Sequence, residues 1–291
     1  MGNCKFCDKK VGIFKSEHAE CKLKNISSKE EILKLLKDSM YSKESIENIK
    51  IKINKIADSG YIVRSERPEL IYKGWDSAID SALEDNLISQ EEEDRLYLII
   101  TNSGLEDSTI KQSKGWNKLV KGAIIRDILN GKIPERVKID GLDGINFQTD
   151  EKQVWGTFCT FSESQVKTQY VGSSIGASIR IAKGLYVRTS SFKGNPVKTE
   201  EMTFVDSGVF VITNKNVYFN GMSKSFRIKY DKIVSFKNYS DSIGIIESNK
   251  DSKLKVFTFY NGYNSSGKPL KIDDGWFVYN LITNISRMKD E

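Results

Sequence analysis

The chain has 291 residues, 38% of them hydrophobic, which is enough material for about two domains with buried cores. Its 45 lysines and arginines against 39 acidic residues leave +6, an excess spread along the whole length, whereas a dedicated nucleic-acid binder concentrates its basic residues on one face. No run approaches the roughly 18 continuous apolar residues of a membrane span, and Cys and Lys stand near the N-terminus where a secretory signal has its apolar segment; the sequence therefore predicts a soluble cytoplasmic protein.

Three of the four cysteines and the only histidine fall between residues 4 and 21, in CKFCDKKVGIFKSEHAEC. Cysteines so placed do not make a disulfide framework for a chain of this size, and the pattern points to a metal. Two residues separate Cys4 from Cys7, ten separate Cys7 from His18, and two separate His18 from Cys21. Three sulfurs and one imidazole make the closed tetrahedral shell of a structural Zn2+ site. CKFC forms a turn whose amides point at sulfur, and Ser16 is the predicted cap of a helix that sets His18 and Cys21 three residues apart on one face. The stretch has no apolar core of its own, so it folds around an ion or remains a tail with free thiols. Knuckle, short hairpin around Gly12 and helical ligand pair together resemble a treble-clef zinc finger over residues 1–25. The resemblance implies binding of nucleic acid or protein. Lys5, Lys9, Lys10, Lys15, Lys22 and Lys24 favour phosphate contact, whereas three thiolates leave the centre itself negative.

With its histidine taken as a ligand, the chain has none for a Ser-His-Asp triad, a Cys-His dyad, an HExxH site or an HNH nuclease centre. An enzyme would have to work with carboxylates, lysine or tyrosine.

From Ser27 the pattern is helical. SSKEEILKLLKD opens with a serine cap at Ser27 or Ser28 and Glu30 or Glu31 at the third helical position, and Ile32, Leu35 and Leu36 recur at helical spacing. In SKESIENIKIKINKIADSGYI, Ile46, Ile49, Ile53 and Ile56 form one core-facing stripe that ends at Gly60. ELIYKGWDSAIDSALEDNLISQEEEDRLYLIITNSGL predicts two helices joined at EDNLISQ, and GWNKLVKGAIIRDILNGKIP another, closed by Gly131 and Pro134. The acidic turn does not fit a calcium loop, because Asp85 lacks acidic residues at the next two ligand positions and the central glycine is missing. Ser89 reads instead as an N-cap, with Glu92 completing a capping box. ALEDNLISQEEEDRL resembles the helix junction of TerB-like helical domains, which implies such a domain over residues 26–140.

After Pro134 short alternating segments predict strands: EKQVWGTFCTFSE, KTQYVGSS, ASIRIAKGLYVRTSSF, EMTFVDSGVFVITNKNVYFNG, KSFRIKYDKIVSFKNYSDSIGIIES and LKVFTFY. The amphipathic GWFVYNLITNISRM follows, so this half is expected to be an antiparallel β-barrel or sandwich plugged by a terminal helix. TNKN, residues 213–216, is a tight turn in which Asn tolerates positive φ and the Thr hydroxyl satisfies a freed amide. Cys159, with Phe158 and Phe161 beside it, reads as a small buried hydrophobe. The glycine-rich YVGSSIGAS, residues 170–178, lacks the GK[ST] and the following helix of a phosphate loop, and reads as a hairpin connection.

The order of strand, TNKN, strand, glycine turn, basic strand and a strand led by YDKIVSF resembles the bacterial PH-like and GRAM-like domains. Their recurring phrase LTNKRLIF is followed by IPYSKI. Here Val211 and Ile212 precede Thr213-Asn214-Lys215, and Tyr230, Lys232 and Ile233 stand in the second phrase, with Lys229 where Pro often falls. SIRIAKGLYVR, SFKG, VDSG and GWFVYNL around that phrase are similar to an arrangement in bacterial and phage proteins without an assigned activity. The resemblance covers residues 150–288 and implies that Trp276, Phe277, Asn280 and Leu281 lie across the open end of a PH-like domain spanning 141–291. It also implies two kinds of site: basic loops for acidic lipid headgroups, with Arg180, Lys183, Arg188 and Lys193 as candidates or else as a solvated strand face, and an edge strand beside the terminal helix for peptides.

The reading is an α+β multidomain protein made of a zinc finger (1–25), a helical domain (26–140) and a PH-like domain (141–291). Its expected function is non-enzymatic: an adaptor that binds a protein partner, or peripherally a membrane surface, through the PH-like domain and a second partner through the finger. Combined parts of this kind suggest a phage-conflict or stress system. No small-molecule substrate is expected. The alternative is a zinc-finger-targeted nucleic-acid-binding protein or metal-dependent nuclease, although in IPERVKID Glu135 stands three residues from Lys138, which misses the PD-(D/E)xK spacing.

Overall fold

A computed structural model of the chain describes residues 2–12, 14–84, 87–137, 144–170, 179–182, 185–187, 196–249, 253–263 and 265–288. They fall into two units, Met1–Asn130 and Gly131–Glu291. No helix among the described residues is long and apolar enough to cross a membrane.

The first unit carries the helices α1 (Ala19–Ser39), α2 (Ile46–Ser59), α3 (Arg67–Ala82), α4 (Gln90–Thr101), α5 (Asp107–Lys111) and α6 (Lys114–Leu129). Three of the starts are capped by serines: Ser45 accepts from the Asn48 amide, Ser89 forms the expected capping box with Glu92, and Ser113 accepts from the Trp116 amide. Glu93 of the same turn is engaged as well, since it holds Arg126 at 2.6 Å and ties α6 to the start of α4.

The expected start at Ser27 or Ser28 is wrong. α1 begins eight or nine residues earlier and passes through both serines without interruption. Ser27 turns its hydroxyl back to the Lys24 carbonyl at 3.1 Å, and Ser28 is buried against Gly60. A Cβ on Gly60 would lie 2.3 Å from the Ser28 Cβ, so small residues are needed on both sides where the α2 terminus meets α1. The core of the unit is filled by Ile32 and Leu36 of α1, Ile49 and Ile53 of α2, Trp75 and Ile79 of α3, Leu96 and Ile100 of α4, and Leu119 of α6. Trp75 is fully buried and still satisfies its indole N–H, which donates to the Leu96 carbonyl at 2.8 Å.

The second unit contains β1 (Gln153–Tyr170), β2 (Ile179–Ala182), β3 (Leu185–Val187), β4 (Pro196–Thr213), β5 (Asn216–Gly221), β6 (Ser225–Lys229), β7 (Ile233–Asn238), β8 (Ser242–Glu247), β9 (Lys255–Tyr263), β10 (Pro269–Lys271) and the helix α7 (Gly275–Arg287). Eight of the strands make one antiparallel sheet in the order β6-β5-β4-β1-β9-β8-β7, with β10 beside β9, and β2 pairs with β3 in a separate hairpin. The sequence suggested two strands on either side of residue 165; a single strand of 18 residues runs through instead.

Alternation sends Cys159 and Phe161 of β1, Phe210 of β4, Phe219 of β5 and Phe257 and Phe259 of β9 into the core. Their rings form one cluster, with Phe161 stacked on Phe257 at 5.2 Å and Phe210 4.8 Å from Phe257. α7 buries Phe277, Val278, Leu281, Ile282 and Ile285, and Phe277 meets Trp155 edge-on at 4.9 Å. Of the four residues expected to lie across the end of a PH-like domain, Phe277 and Leu281 are buried, but Trp276 is exposed and Asn280 donates back to the Trp276 carbonyl at 2.9 Å. The reason is the helical period: Trp276 lies about 100° around the axis from Phe277, off the Phe277/Leu281 row.

The TNKN motif is a knot between the β4–β5 turn and residues 148–152. Thr213 donates to Glu151, Asn214 exchanges two bonds with the Lys152 backbone at 2.9 and 2.7 Å, Lys215 reaches the Thr149 carbonyl at 2.5 Å, and Asn216 donates to Glu151 at 2.9 Å. The Thr213 hydroxyl accepts the Asn216 amide at 2.9 Å, as anticipated, but the positive φ falls at Asp150 (60°) and at neither Asn. Tyr230, from the second phrase, donates to the Thr213 carbonyl at 2.5 Å from a buried position. Glu151 is the hub. It also accepts from the Tyr218 hydroxyl at 2.7 Å and the Gln148 amide at 2.8 Å. Burial pushes its pKa up, but the bonds from Thr213, Asn216, Tyr218 and Gln148 outweigh burial and hold the carboxyl below its usual value.

Glu151→Ala would leave four donors without their acceptor, and urea unfolding is expected to show the second unit destabilised by about 3 kcal/mol. Against Glu151→Gln, the wild-type advantage should be complete above about pH 4.3 and decline as the pH falls through the lower folded-state pKa. A pH-independent difference would contradict the ionised hub.

Candidate metal centre

Residues 2–11 form a small hairpin, in which the Cys4 amide donates to the Lys9 carbonyl at 2.8 Å and the Val11 amide to the Gly2 carbonyl at 3.1 Å. Asn3 and Lys10 are bridged antiparallel. Its turn carries Cys7 and closes at Asp8, whose φ of 58° is supported by the bond from the Asn3 side chain to its carboxylate at 3.1 Å. Lys5 then ties the hairpin to the approach to α1 by donating its amide to the Ser16 carbonyl at 3.0 Å.

The N-cap of α1 is His18, not Ser16. His18 keeps extended backbone (φ −81°, ψ 142°), so its ring turns back to the hairpin, and Cys21 follows in the first turn of the helix. Its backbone amide donates to the Cys4 sulfur at 3.4 Å. The helix N-terminus thus faces the sulfurs, and its dipole favours the negative charge they carry when ionised.

All four residues singled out from the spacing meet. One donor atom from each of Cys4, Cys7, His18 and Cys21 lies within 4.8 Å of all the others, the one such cluster among the described residues. His18 Nδ1 stands 3.4 Å from the Cys7 sulfur and 3.9 Å from the Cys21 sulfur, while Nε2 is 3.1 Å from the Lys10 carbonyl. A proton on Nε2 donated to that carbonyl leaves Nδ1 as a lone pair aimed at the sulfurs, the tautomer that metal ligation requires. The carbonyl partner carried no signal in the sequence, because any residue supplies a backbone oxygen.

The sulfurs are unequal. Burial raises the Cys4 thiol, but the amides of Cys7, His18 and Phe6 outweigh it and bring the pKa down to about 6. Cys21 is pushed up to about 11 by burial and by the neighbouring Cys7 and Cys4 sulfurs. Three thiolates so close resist ionising together, and a bound cation reverses that balance by attracting all three. The donor set therefore fits a metal ion, held by Cys4, Cys7 and Cys21 sulfurs and His18 Nδ1. With all four positions taken from protein, what such an ion supplies is a cross-link between hairpin and helix.

Among the described residues, the remaining candidates form no second cluster of metal-ligating groups. Cys159 is fully buried in the sheet core, where burial raises its thiol well above the usual value. Glu135 pairs with Lys152, and Lys138, three residues from it in sequence, lies outside the described residues. Arg180 stands in β2, while Lys183, Arg188 and Lys193 and the glycine-rich residues 171–178 lie outside the described residues. Around the hairpin, Lys5 and Lys22 are both paired with Glu17, at 2.6 and 3.1 Å. Among family models and curated proteins, none matches this chain.

Elemental analysis of the purified chain is expected to find close to one metal ion per molecule. Substituted with Co2+, the protein should show the d–d absorption of a tetrahedral thiolate site, and Cys7→Ser should weaken or abolish it. Metal-free protein whose properties are unchanged by Cys7→Ser would remove the centre.

Proposed function

We propose that this protein is a non-enzymatic adaptor: a head organised by structural Zn2+, a helical body and a PH-like module that captures a protein segment. Zinc is the proposed ion because tetrahedral bonds of about 2.3 Å to sulfur and about 2.0 Å to nitrogen put donors roughly 3.5–3.8 Å apart. The His18 distances of 3.4 and 3.9 Å to its neighbouring sulfurs bracket that range.

The PH-like reading is supported by strand order. With the β2–β3 hairpin and β10 set aside, seven strands run 4-3-2-1-7-6-5 in chain order and are followed by one helix against the apolar face, which suits the antiparallel module with a terminal helix that the resemblance implies. The TNKN and YDKI phrases serve the turn that holds this order, which accounts for their recurrence as structural residues.

The observation that carries the function is the free edge at β7. This strand pairs with β8 on one side and with no strand on the other among the described residues, and α7 packs beside it. Val234 is 65% exposed there, and Phe236 meets Tyr279 of α7 edge-on at 5.8 Å. An extended peptide can add to that edge through backbone bonds and rest its side chains between strand and helix. A cytoplasmic location and a role in a phage-conflict or stress system belong to the same proposal.

A second reading, nucleic-acid binding by the head, is favoured by one feature: Phe14 is fully exposed near the end of the metal-bound segment, with the exposed Lys9, Lys10 and Lys15 close in sequence.

A peptide-library screen against the full chain should yield extended ligands whose binding falls at least tenfold in Val234→Lys, since a charge at the edge opposes strand addition. On the same sample, mobility shift with single-stranded DNA and RNA decides between the readings. Tight binding that weakens steeply with salt and disappears in Cys4→Ser would overturn the adaptor in favour of the second.

A further inference from the structure

The chain reverses between α2 and α3 at Gly60 and Tyr61, and this corner touches the metal-bound segment from two sides. The Asn25 side chain, one turn beyond Cys21 on α1, donates to the Gly60 carbonyl at 2.8 Å. Phe6, between the ligands Cys4 and Cys7, has its ring centre 6.2 Å from that of Tyr61. Lys24 of α1 sets its ammonium 5.6 Å from the Tyr61 ring centre. The ring therefore sits between the turn that carries two ligands and the helix that carries a third.

Its backbone is costly to hold. Tyr61 has φ of 57°, a left-handed conformation that a bulky side chain avoids and that persists only where surrounding contacts impose it. Glycine would take the same turn without penalty. The contacts that impose it are those of the ring and its neighbours: Ile62 is buried next to it and its amide donates to the Ala57 carbonyl at 2.8 Å, while Gly60 is pressed against Ser28.

We infer that Tyr61 is a positioning residue for the metal centre, and that through it ion binding and folding of the α1–α2 corner form one coupled equilibrium. The inference rests on the metal reading proposed above. Without the ion, hairpin and helix N-terminus lose their cross-link and Tyr61 loses one wall of its seat. The strained turn then loses what imposes it, and the end of α2 loses its hold on α1. Coupling is reciprocal, so loosening the corner weakens ion binding by the same factor as ion loss weakens the corner. The helical unit would thereby register metal occupancy along its core helices.

The test uses the full chain loaded with Zn2+. Ion affinity is measured by competition with a chromophoric chelator, and amide hydrogen exchange is followed across residues 46–62 with and without the ion. Tyr61→Phe keeps the ring and should bind as the wild type does. Tyr61→Gly keeps the turn and removes the ring, and should lose affinity about tenfold, the scale of outer-shell support. Stripping the ion from the wild type should speed exchange in α2 at least tenfold. Unchanged α2 exchange in ion-free wild type, or wild-type affinity in Tyr61→Gly, would overturn the coupling while leaving the centre in place. A wild-type chain that binds no ion would overturn the metal reading itself.

Discussion

Three sulfurs and an imidazole held within 4.8 Å of one another are the constraint on which the first unit turns. Left alone, the sulfurs repel as they ionise, and the segment that bears two of them has too few apolar residues to fold by burial. A cation converts that repulsion into a cross-link. Because Cys21 lies in the same uninterrupted helix as Ile32 and Leu36, such a cross-link would be joined directly to the core. Asn25 and Ser28, between those two ends of α1, are the residues that meet the Gly60 turn.

The second unit is organised around a carboxylate. Glu151 gathers donors from before β1, from the β4–β5 turn and from β5, so one charged group fixes where three segments meet. The aromatic cluster behind it supplies most of the burial free energy, at about 2–3 kcal/mol for each fully buried ring. Burial alone is indifferent to which turn joins which strand. The polar knot supplies that direction, and it does so at the position of the sequence phrase that recurs in the resembling domains.

Much of this was legible in the chain itself, for identifiable reasons. Ligand spacing named all four donor residues, because metal geometry restricts spacing tightly. Ser45 lies just ahead of the Ile46–Ile56 stripe, and the Ser89–Glu92 box and the helices either side of EDNLISQ followed from capping chemistry and the 3.6 period. Errors arose where long-range contact overrode a local signal. Ser27 and Ser28 look like caps until Gly60 buries one of them, and Ser16 looks like a cap until the His18 ring must turn back toward Lys10. Trp276 looks like core by hydrophobicity but lies off the helical row. Glu151, Tyr61 and the Lys10 carbonyl could not be found locally, since their partners lie at sequence distances of 65, 55 and 8 residues.

The unequal reach of the strands has a consequence for how this chain tolerates change. β9 accompanies β1 only as far as Glu163, while β4 follows it to Tyr170, so beyond that point the described backbone is a ribbon of two strands. From Gln165 onward it extends about 20 Å at the usual rise per residue, with neither flank paired to the sheet. Among the described side chains, no ring of the aromatic cluster comes from it. Duplications, deletions or grafted sequences placed at this outlying arm would leave the folded body's interior untouched, which makes it the natural site for a tag or a reporter.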